Sequence, residues 1–573
     1  MRLLPLALLL LTACPKPAPE AEKPAAEPVT LHLAFVNDFH GGIYEQPAKG
    51  VEGKVQGGLP WLVGAVDALR TEHPDLVLLD GGDMFQGSWP INQSHGMGSA
   101  SAFGLMKLDA AAVGNHEFDY GGGASRRQYL EEAAAKATFE WVTANIQHAG
   151  ATWSPPGIVP AVMLERNGVK IGVIGLTTQD TPSTTTKANV ADLVFVDPVA
   201  TVARLAPELR AQGARVIVVA GHLTGSCAEK PPAWATPPAP CLPDGEIGRL
   251  LTELPKGTID VIAAGHAHTL MAHRWDDTFV FEDRAEGAMI GRLDLVVGPA
   301  GVDRDASVVH PPWSLVHGKA DPGCEGGEYD LAPQDVGGRT VTPSTPALEL
   351  VRALEAEAGS LCQEVGCATA PMARSREGES GVGDVVADAM LAAFPDADLA
   401  VQNSGGLRAD LPGGKLRRQD LQAVMPFQNR LFEVEITGSK LLEMFRIGSS
   451  GSHGVLQVAG ASYRFDPTKT GGTDLDGDGQ TADWETDKLC WVKIGGKAVD
   501  PAKTYRLVTT DFLLGGGDDF GTAYTGVKTV SEGDLLRDVL FAQVGGRKEC
   551  LPALPDAKSP RVERGPCPST SLP

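Results

Sequence analysis

Positive charge is scarce in this sequence. The 573 residues include 49 Lys and Arg against 72 Asp and Glu, which gives a formal net charge of −23. Nucleic-acid binding usually needs a basic face, so this balance argues against a nucleic-acid partner. An anionic small substrate stays open, because bound metal ions and a few arginines can reverse the sign of the charge locally. The length predicts two domains rather than one.

Two motifs that often accompany zinc binding or hydrolysis are missing. The chain has no CxxC pair and no GxSxG motif, so neither a zinc-finger site nor a serine nucleophile is indicated. Nine cysteines are present, and an even number remains once Cys14 is assigned to the leader. In an exported protein this predicts disulfides. The expected local pairs are Cys227 with Cys241 and Cys362 with Cys367, and the other pairings stay open.

The N-terminal apolar run is too short to span a bilayer. In MRLLPLALLLLTAC one arginine precedes that run, which is typical of an export signal. The stretch LTAC resembles a bacterial lipobox, so we expect residues 1–14 to be a lipoprotein signal peptide and Cys14 to be lipidated. An ordinary signal peptide with an incidental cysteine is the alternative. Residues 15–28 are predicted to be a Pro/Ala/Glu tether. We therefore expect an exported protein, periplasmic or on the cell surface, with a lipid anchor in the membrane.

Five short apolar runs in the first half end in polar side chains. They are rich in Val, Ile, Leu and Ala, and they predict buried central strands of a layered α/β fold. Ligands collect beyond the carboxyl ends of such strands. Seven candidate metal ligands stand there: Asp38, His40, Asp83, Asn115, His222, His266 and His268. Their oxygen and nitrogen donors favour Mn, Zn, Fe or Co, and their number suits two divalent ions that share a carboxylate.

The motifs at these strand ends carry a family resemblance. NDFHG, GGDMFQGS, GNHEFD, AGHLT and GHAH resemble, in order and spacing, the block motifs of the calcineurin-like metallophosphoesterases of the 5′-nucleotidase family. The resemblance implies two ligand sets with a bridging carboxylate from Asp83. The first set is Asp38, His40 and His268. The second set is Asn115, His222 and His266.

The same resemblance assigns the remaining polar residues of GNHEFD. It implies that His116 and Asp119 form a catalytic dyad. His116 would stabilise charge that develops on the phosphoryl group, and Asp119 would orient the His116 ring.

The resemblance covers nearly all of the chain after the tether. It implies a four-layer α/β metallophosphoesterase sandwich for residues 29–335 and a smaller α+β nucleotide-recognition domain for residues 345–573. Residues 336–344 are assigned to a linker, because the preceding stretch is rich in Gly, Pro and Asp. A helix is predicted to start at 345, with Ser344 or Thr345 as its N-cap and Pro346 in its first turn.

Substrate recognition is expected in the second domain. By resemblance, two arginines would grip the phosphate, two phenylalanines would sandwich the nucleobase, and an Asn and an Asp would hydrogen-bond the ribose or base. These residues are Arg376, Arg408, Phe427, Phe512, Asn403 and Asp518.

The stretch DLDGDGQTADWE is not explained by the resemblance. It fits the calcium-loop pattern D-x-D-x-D-G-x5-E, with strand-like rather than helical flanks. The predicted ligands of a structural calcium ion are Asp474, Asp476, Asp478, Gln480 and Glu485. A solvated acidic turn is the alternative.

Together these features predict an exported dinuclear-metal phosphohydrolase that cleaves nucleoside 5′-monophosphates to nucleoside and phosphate. The alternatives on the same scaffold are a UDP-sugar pyrophosphohydrolase, a 2′,3′-cyclic-nucleotide phosphodiesterase/3′-nucleotidase and a thiosulfohydrolase. A non-catalytic binding lipoprotein is the alternative from another class. The sequence leaves the metal identity, the base preference and the oligomeric state open.

Overall fold

The structure, a computed structural model, describes residues 27–48, 50–121, 126–185, 187–225, 245–321, 324, 328–358, 361–427, 429–472, 474, 481 and 485–568. Within them, the hydrophobic cores define an N-terminal body, residues 29–358, and a C-terminal body, residues 361–568. None of the helices in these described ranges combines the length and the apolar character needed to cross a bilayer.

One sheet of the N-terminal body contains the first three predicted strands. Its strand order is Gly301–Val309, Met289–Gly298, Val29–Val36, Val77–Asp80, Ala110–Ala112, Glu140–Val142 and Ile158–Val159, with Trp313–Ser314 paired to Met289–Gly298. From Val29–Val36 to Ile158–Val159 all neighbouring strands are parallel. The carboxyl ends of the three predicted strands therefore meet at one edge.

A second sheet contains the other two predicted strands. Its order is Ala161–Arg166, Val169–Thr177, Val216–His222, Val261–Gly265, Thr278–Asp283 and Leu270–Trp275. The two sheets pack face to face through a core of Val, Leu, Ile, Ala and Phe side chains. Within it Phe35 and Phe281, one from each sheet, stack with ring centroids 4.4 Å apart. This packing aligns the carboxyl ends of all five predicted strands.

Helices cover the outer face of each sheet. The first sheet is covered by Leu59–Glu72, Met97–Leu105 and Gln128–Lys136, and the second by Pro198–Ala211 and Glu246–Glu253. The predicted four-layer sandwich is confirmed. Shorter elements connect these layers: helices Trp89–Gln93, Thr181–Thr184 and Lys187–Val190, and strands Gln46–Pro47, Lys54–Gln56, Ile146–His148, Ala151–Thr152, Leu193–Phe195, Val316–Gly318, Gln334–Val336 and Arg339–Val341.

The C-terminal body is the predicted α+β unit. Its main sheet has the order Leu456–Ala459, Leu399–Asn403, Thr504–Thr510, Arg430–Thr437 and Lys528–Leu535. Helices Gly381–Ala393 and Leu536–Gly545 pack on one face and Gly438–Ser450 on the other. A second sheet orders Lys497–Ala498, Leu489–Ile494, Ala461–Phe465 and Val562–Arg564. The smaller elements are strands Glu364–Ala368 and Gly414–Arg417 and helices Arg418–Val424 and Asp511–Leu514.

The helix between the two bodies starts as predicted but packs differently. Helix Thr345–Ala358 is preceded by Ser344, whose Oγ accepts a hydrogen bond from the Ala347 N–H at 3.4 Å, as an N-cap does. Its residues Ala347, Val351 and Leu354 are buried in the core of the N-terminal body. This packing puts the boundary between the two bodies between Ala358 and Glu364. The sequence predicted that boundary at residue 345.

The disulfides correct one predicted pair. Cys362 is bonded to Cys324, Cys367 to Cys550 and Cys490 to Cys567. The predicted pair Cys362–Cys367 is wrong because Cys367 lies in strand Glu364–Ala368. A strand rises about 3.3 Å per residue, and that carries Cys367 beyond the roughly 7 Å that a disulfide can span from Cys362. The predicted pair Cys227–Cys241 lies outside the described residues, as does Cys14.

Part of the predicted calcium loop is described. Asp476, Asp478 and Gln480 lie outside the described residues, whereas Asp474 is exposed and Glu485 is buried. An antiparallel bridge between Gly472 and Thr486 closes the base of the loop. The loop therefore belongs to a hairpin, as its strand-like flanks predict, and the calcium site itself stays a prediction.

Candidate active site

The two sheets bring all seven predicted metal ligands to one edge of the N-terminal body. Every one of them follows or ends one of the five predicted strands. Asp38, His40, Asp83, Asn115 and His222 are buried, and His266 and His268 are partly exposed. The parallel arrangement of the strands thus brings together residues that are far apart in the chain. His40 and His268, for example, are separated by 228 positions.

One group at this edge consists of Asp38, His40 and His268. Their candidate ligand atoms lie within 4.8 Å of one another. His40 Nε2 is 3.0 Å from His268 Nε2, and His268 Nε2 is 3.3 Å from Asp38 Oδ1. Around tetrahedral zinc, with bonds of about 2.0–2.1 Å, neighbouring ligand atoms are about 3.3 Å apart. These three side chains therefore have the spacing of a metal site.

A second group consists of Asp83, His222 and His266. The Asn115 side chain joins it, because Asn115 Oδ1 lies 3.0 Å from His222 Nε2 and 3.1 Å from His266 Nδ1. Asp83 Oδ2 is 3.1 Å from His222 Nε2 and 3.8 Å from His40 Nε2 of the first group. The Asp83 carboxylate thus faces both groups, which is the placement that a bridging ligand requires.

The chemistry of the donor atoms fits two divalent cations. His222 Nδ1 lies 3.0 Å from the Gly81 carbonyl oxygen, which can only accept, so Nδ1 carries a hydrogen and Nε2 is the nitrogen left to bind a cation. Nε2 faces the oxygens of Asp83 and Asn115, an arrangement that a cation stabilises. Burial lowers the pKa of His222, but the carboxylates of Asp83 and Asp38 raise it to about 10. The group therefore attracts positive charge, which a metal ion would supply.

The backbone at these ligands is strained. Five of the seven have positive φ: Asp38 at 48°, His40 at 44°, Asp83 at 58°, His266 at 98° and His268 at 54°. The left-handed region is unfavourable for residues other than glycine, and such strain concentrates at functional sites.

His116 and Asp119 form the predicted pair. His116 Nδ1 lies 2.6 Å from Asp119 Oδ2, and the Thr185 hydroxyl donates to Asp119 Oδ1 at 2.8 Å. Burial lowers the pKa of His116, but Asp119 and Asp83 raise it to about 9. The ring is thus oriented by Asp119, and His116 lies outside both groups of candidate ligands.

Glu117 is a site residue to which the sequence assigned no role. It is fully buried, and its carboxylate accepts backbone N–H bonds from Asp83 at 3.0 Å, Phe85 at 3.0 Å and Gly114 at 2.6 Å. Glu117 therefore ties the loop that carries Asp83 to the loop that carries Asn115. Its place in GNHEFD was the only signal, because a strand-end pattern does not show which backbone amides a carboxylate will meet.

A cavity of about 300 Å³ lies between the two bodies. The N-terminal body lines it with His116, Asp119 and several candidate metal ligands, and the C-terminal body lines it with all six predicted substrate residues. The latter are Arg376, Asn403, Arg408, Phe427, Phe512 and Asp518. Gln86 and Tyr120 also line it and were not predicted. Residues from both halves of the sequence thus face one cavity.

Phe427 connects the two halves of this cavity. Its ring centroid is 6.0 Å from that of His116, and the Arg408 guanidinium lies 5.7 Å from the Phe427 ring centroid. Burial lowers the pKa of Arg408, but an arginine stays charged. The cavity thus combines a partly buried cation, aromatic faces and the histidine–carboxylate edge.

The fold and this edge define a metallophosphoesterase. The family model of calcineurin-like phosphoesterases matches residues 31–270, and that of the 5′-nucleotidase C-terminal domain matches residues 361–525. The chain belongs to the 5′-nucleotidase family of calcineurin-like phosphoesterases, as the sequence motifs predicted. Calcineurin-like phosphoesterases bind divalent metal ions.

Known proteins share this architecture. The chain is 26% identical over 553 residues to the cell wall protein Lmo0130 of Listeria monocytogenes, covering 87% of this chain and 64% of that protein. It is 26% identical over 556 residues to a probable 5′-nucleotidase of Treponema pallidum, covering 89% and 90%. The crystal structure of a 5′-nucleotidase precursor from Thermus thermophilus has a TM-score of 0.71 at 23% identity, covering 94% and 100%. The chain spans 64%, 33% and 37% of the first three curated relatives.

Proposed function

We propose that this protein is an exported dinuclear-metal phosphohydrolase that cleaves nucleoside 5′-monophosphates to nucleoside and phosphate. One observation carries the proposal. A single cavity is lined by the candidate metal groups and the His116–Asp119 pair on one side, and by arginines and phenylalanines on the other. A phosphate ester attached to an aromatic base matches that combination of chemistry.

The candidate ligand sets of the metal ions are those described above, with Asp83 between them. When bound, two divalent ions would act as Lewis acids on the phosphoryl group and would lower the pKa of a water nucleophile. Mn, Zn, Fe and Co all suit such ligands. Asp119 holds the His116 ring by its Nδ1, so that His116 Nε2 is available to stabilise charge on the phosphoryl oxygens.

Substrate binding is assigned to the C-terminal body. Arg376 and Arg408 would pair with phosphate oxygens, because guanidinium groups bind them in a bidentate manner. Phe427 and Phe512 would stack on the base, whatever its identity. Asn403 and Asp518 would hydrogen-bond the ribose or base.

We further propose that the chain is exported and held at a membrane by a lipid on Cys14. The support is the leader-like sequence of residues 1–14, followed by the Pro/Ala/Glu tether of residues 15–28. The structural calcium ion at residues 474–485 belongs to the same set of proposals. Metabolic labelling with a fatty-acid analogue tests the anchor, since Cys14→Ala should abolish incorporation of the label.

The first experiment measures phosphate release from AMP, UDP-glucose and 2′,3′-cyclic AMP by the purified protein. The protein is stripped with EDTA and then assayed with Mn, Zn or Co restored. We expect AMP hydrolysis that depends on the added metal. Turnover of UDP-glucose or the cyclic nucleotide alone would overturn the assignment of nucleoside 5′-monophosphates as the substrates. The protein would still be a phosphohydrolase. With metal bound and no turnover at all, a thiosulfohydrolase or a binding lipoprotein would replace it.

A further inference from the structure

A polar cluster stands at the mouth of the cavity, beside the residues assigned above. His453 Nε2 lies 2.7 Å from Asp519 Oδ2, and His453 Nδ1 lies 3.7 Å from Asp518 Oδ1. Asp518 lines the cavity and accepts a hydrogen bond from Asn403 Nδ2 at 2.6 Å. The cluster is therefore a chain of polar contacts that runs from the surface to the cavity wall.

The position of His453 is fixed by the backbone around it. His453 lies on the loop between helix Gly438–Ser450 and strand Leu456–Ala459. The next residue, Gly454, has φ of 83°, and a Cβ there would come 3.0 Å from the Arg376 carbonyl oxygen. Val455 N–H donates to that same oxygen at 3.0 Å. The loop is thus packed against the segment that carries Arg376, which leaves the imidazole facing the turn with Asp518 and Asp519.

That turn is strained. Asp518 has φ of 52° and Asp519 has φ of 63°, two consecutive residues in the region that favours glycine. The Asp519 side chain is 61% exposed, and its carboxylate contacts His453. Glycine would hold position 519 at lower conformational cost, so the carboxylate there is expected to serve the site.

We propose that His453, held by Asp519, is a positioning residue that orients the Asp518 carboxylate toward the vicinal hydroxyls of a ribose and so selects ribonucleotides. This inference rests on the proposed nucleotidase function and deepens it. The Asp518 carboxylate offers two acceptor oxygens, one of which is directed by Asn403 and the other by His453. A diol donates two hydrogen bonds to such a carboxylate, and a substrate that lacks one hydroxyl makes one hydrogen bond fewer to it.

The charge of His453 supports the same role. Burial raises the pKa of Asp518, and His453, Asn403 and Arg376 lower it. Loss of the imidazole would therefore favour the protonated carboxyl, which is a poorer acceptor for hydroxyl groups. The His453–Asp519 pair thus acts on the substrate through Asp518.

Two variants test the proposal in the full-length metal-loaded enzyme. His453→Phe keeps a ring and removes both nitrogen atoms. Asp519→Gly removes the carboxylate that contacts His453, and it also removes the conformational cost of a positive φ at position 519. For both variants we expect the KM for AMP to rise about tenfold, with kcat within about twofold, as the loss of one hydrogen bond from a ribose hydroxyl to the Asp518 carboxylate predicts. The KM for 2′-deoxy-AMP should rise much less. The ratio of kcat/KM for AMP to kcat/KM for 2′-deoxy-AMP should therefore fall.

A purely structural role would give a different pattern. It would lower the melting temperature of Asp519→Gly, whereas we expect that temperature to be unchanged or higher. His310→Gln is the matched control, because His310 makes a similar bond to Asp294 at 2.9 Å in the N-terminal body. Equal KM changes for AMP and 2′-deoxy-AMP would overturn the proposal. A wild-type enzyme that hydrolyses p-nitrophenyl phosphate but not AMP would instead overturn the proposed function.

Discussion

At the scale of single residues, the site separates His116 from the metal ligands. Its Nδ1 is bound to Asp119 at 2.6 Å, and it belongs to neither candidate metal group. We therefore expect His116→Ala to lower kcat by about 10²–10⁴-fold, as loss of a general acid–base or charge-stabilising group does. The number of metal ions per chain, measured by elemental analysis, should stay the same. Loss of bound metal would place His116 among the ligands, and Asp119→Asn serves as the milder control.

Phe427 should contribute to the binding of the nucleobase and not to the binding of the phosphate. Its ring lies near both Arg408 and His116 in the cavity. Stacking on a base contributes about 1–3 kcal/mol, so Phe427→Ala should raise the KM for AMP by about 5–150-fold. Steady-state kinetics with p-nitrophenyl phosphate should show a much smaller change. Phe394→Ala, a partly buried phenylalanine outside the cavity lining, is the control. Equal effects on the two substrates would contradict a stacking role.

Single residues also mark where sequence reasoning succeeds and where it stops. The seven strand-end residues and the His116–Asp119 pair lie together, because residue type and strand position together determine that edge. Glu117 was missed, since its role depends on three backbone N–H groups that come from two loops distant in the sequence. Cys362 was paired wrongly, because proximity in sequence says nothing about a partner such as Cys324.

At the scale of secondary-structure elements, periodicity located the five strands but not their division into two sheets. Val216–His222 and Val261–Gly265 belong to the second sheet, and their runs of apolar residues look the same as those of the first. Helix Thr345–Ala358 began where its N-cap predicted. Its packing could not be predicted, because an amphipathic helix does not reveal which body covers its apolar face.

One pair of strands carries a pH-dependent interaction. Asp294 stands opposite His32 across the strands Met289–Gly298 and Val29–Val36, and its oxygens lie 2.7 Å from His32 Nδ1 and 2.9 Å from His310 Nε2. Burial raises the pKa of Asp294, but the bonds from His310 and His32 lower it to about 2. A depressed carboxyl pKa stabilises the fold above the unfolded value of about 3.9, and this contribution disappears as the pH falls toward 2.

We therefore expect Asp294→Asn to lose about 1 kcal/mol of unfolding free energy at pH 7, after allowance for solvent screening. Urea unfolding of the metal-free protein at pH 7 and at pH 3 measures this loss, which should shrink at the lower pH. Asp305→Asn is the control, because the Asp305 side chain is 90% exposed. If Asp294→Asn lost the same unfolding free energy at both pH values, the ion-pair explanation would be contradicted.

The acidic hairpin loop gives a prediction about calcium. The bridge between Gly472 and Thr486 closes its base, and Glu485, the expected bidentate ligand, is buried. We expect calorimetry to detect calcium binding at the roughly 10⁻⁴–10⁻³ M affinity of extracellular sites. The double variant Asp474→Ala, Glu485→Ala should abolish it. An unchanged isotherm for that variant would show that the loop is only a solvated acidic turn.

At the scale of the whole molecule, the cavity exists because the two bodies are held together beside it. Trp89 of the N-terminal body donates from Nε1 to the Ala358 carbonyl oxygen at 2.8 Å. On the other side its ring meets Phe541 edge-on, with centroids 6.5 Å apart, and the Arg537 guanidinium lies 4.5 Å from the ring centroid. The Asn92 side chain donates to the Pro426 carbonyl oxygen, next to Phe427. This interface therefore sets where the substrate-binding residues stand relative to the metal edge.

Weakening that interface should separate the two bodies without destroying the metal site. Trp89→Ala removes the aromatic, cation–π and hydrogen-bond contacts, a loss of about 1–3 kcal/mol for a partly buried tryptophan. We expect calorimetry to show two unfolding transitions in place of one. The kcat/KM for AMP should fall about tenfold, and that for p-nitrophenyl phosphate much less, because only the nucleotide needs both bodies. Trp275→Ala, in the second sheet, is the matched control. If both variants shift one common transition and affect both substrates equally, the contact stabilises the fold and does not align the cavity.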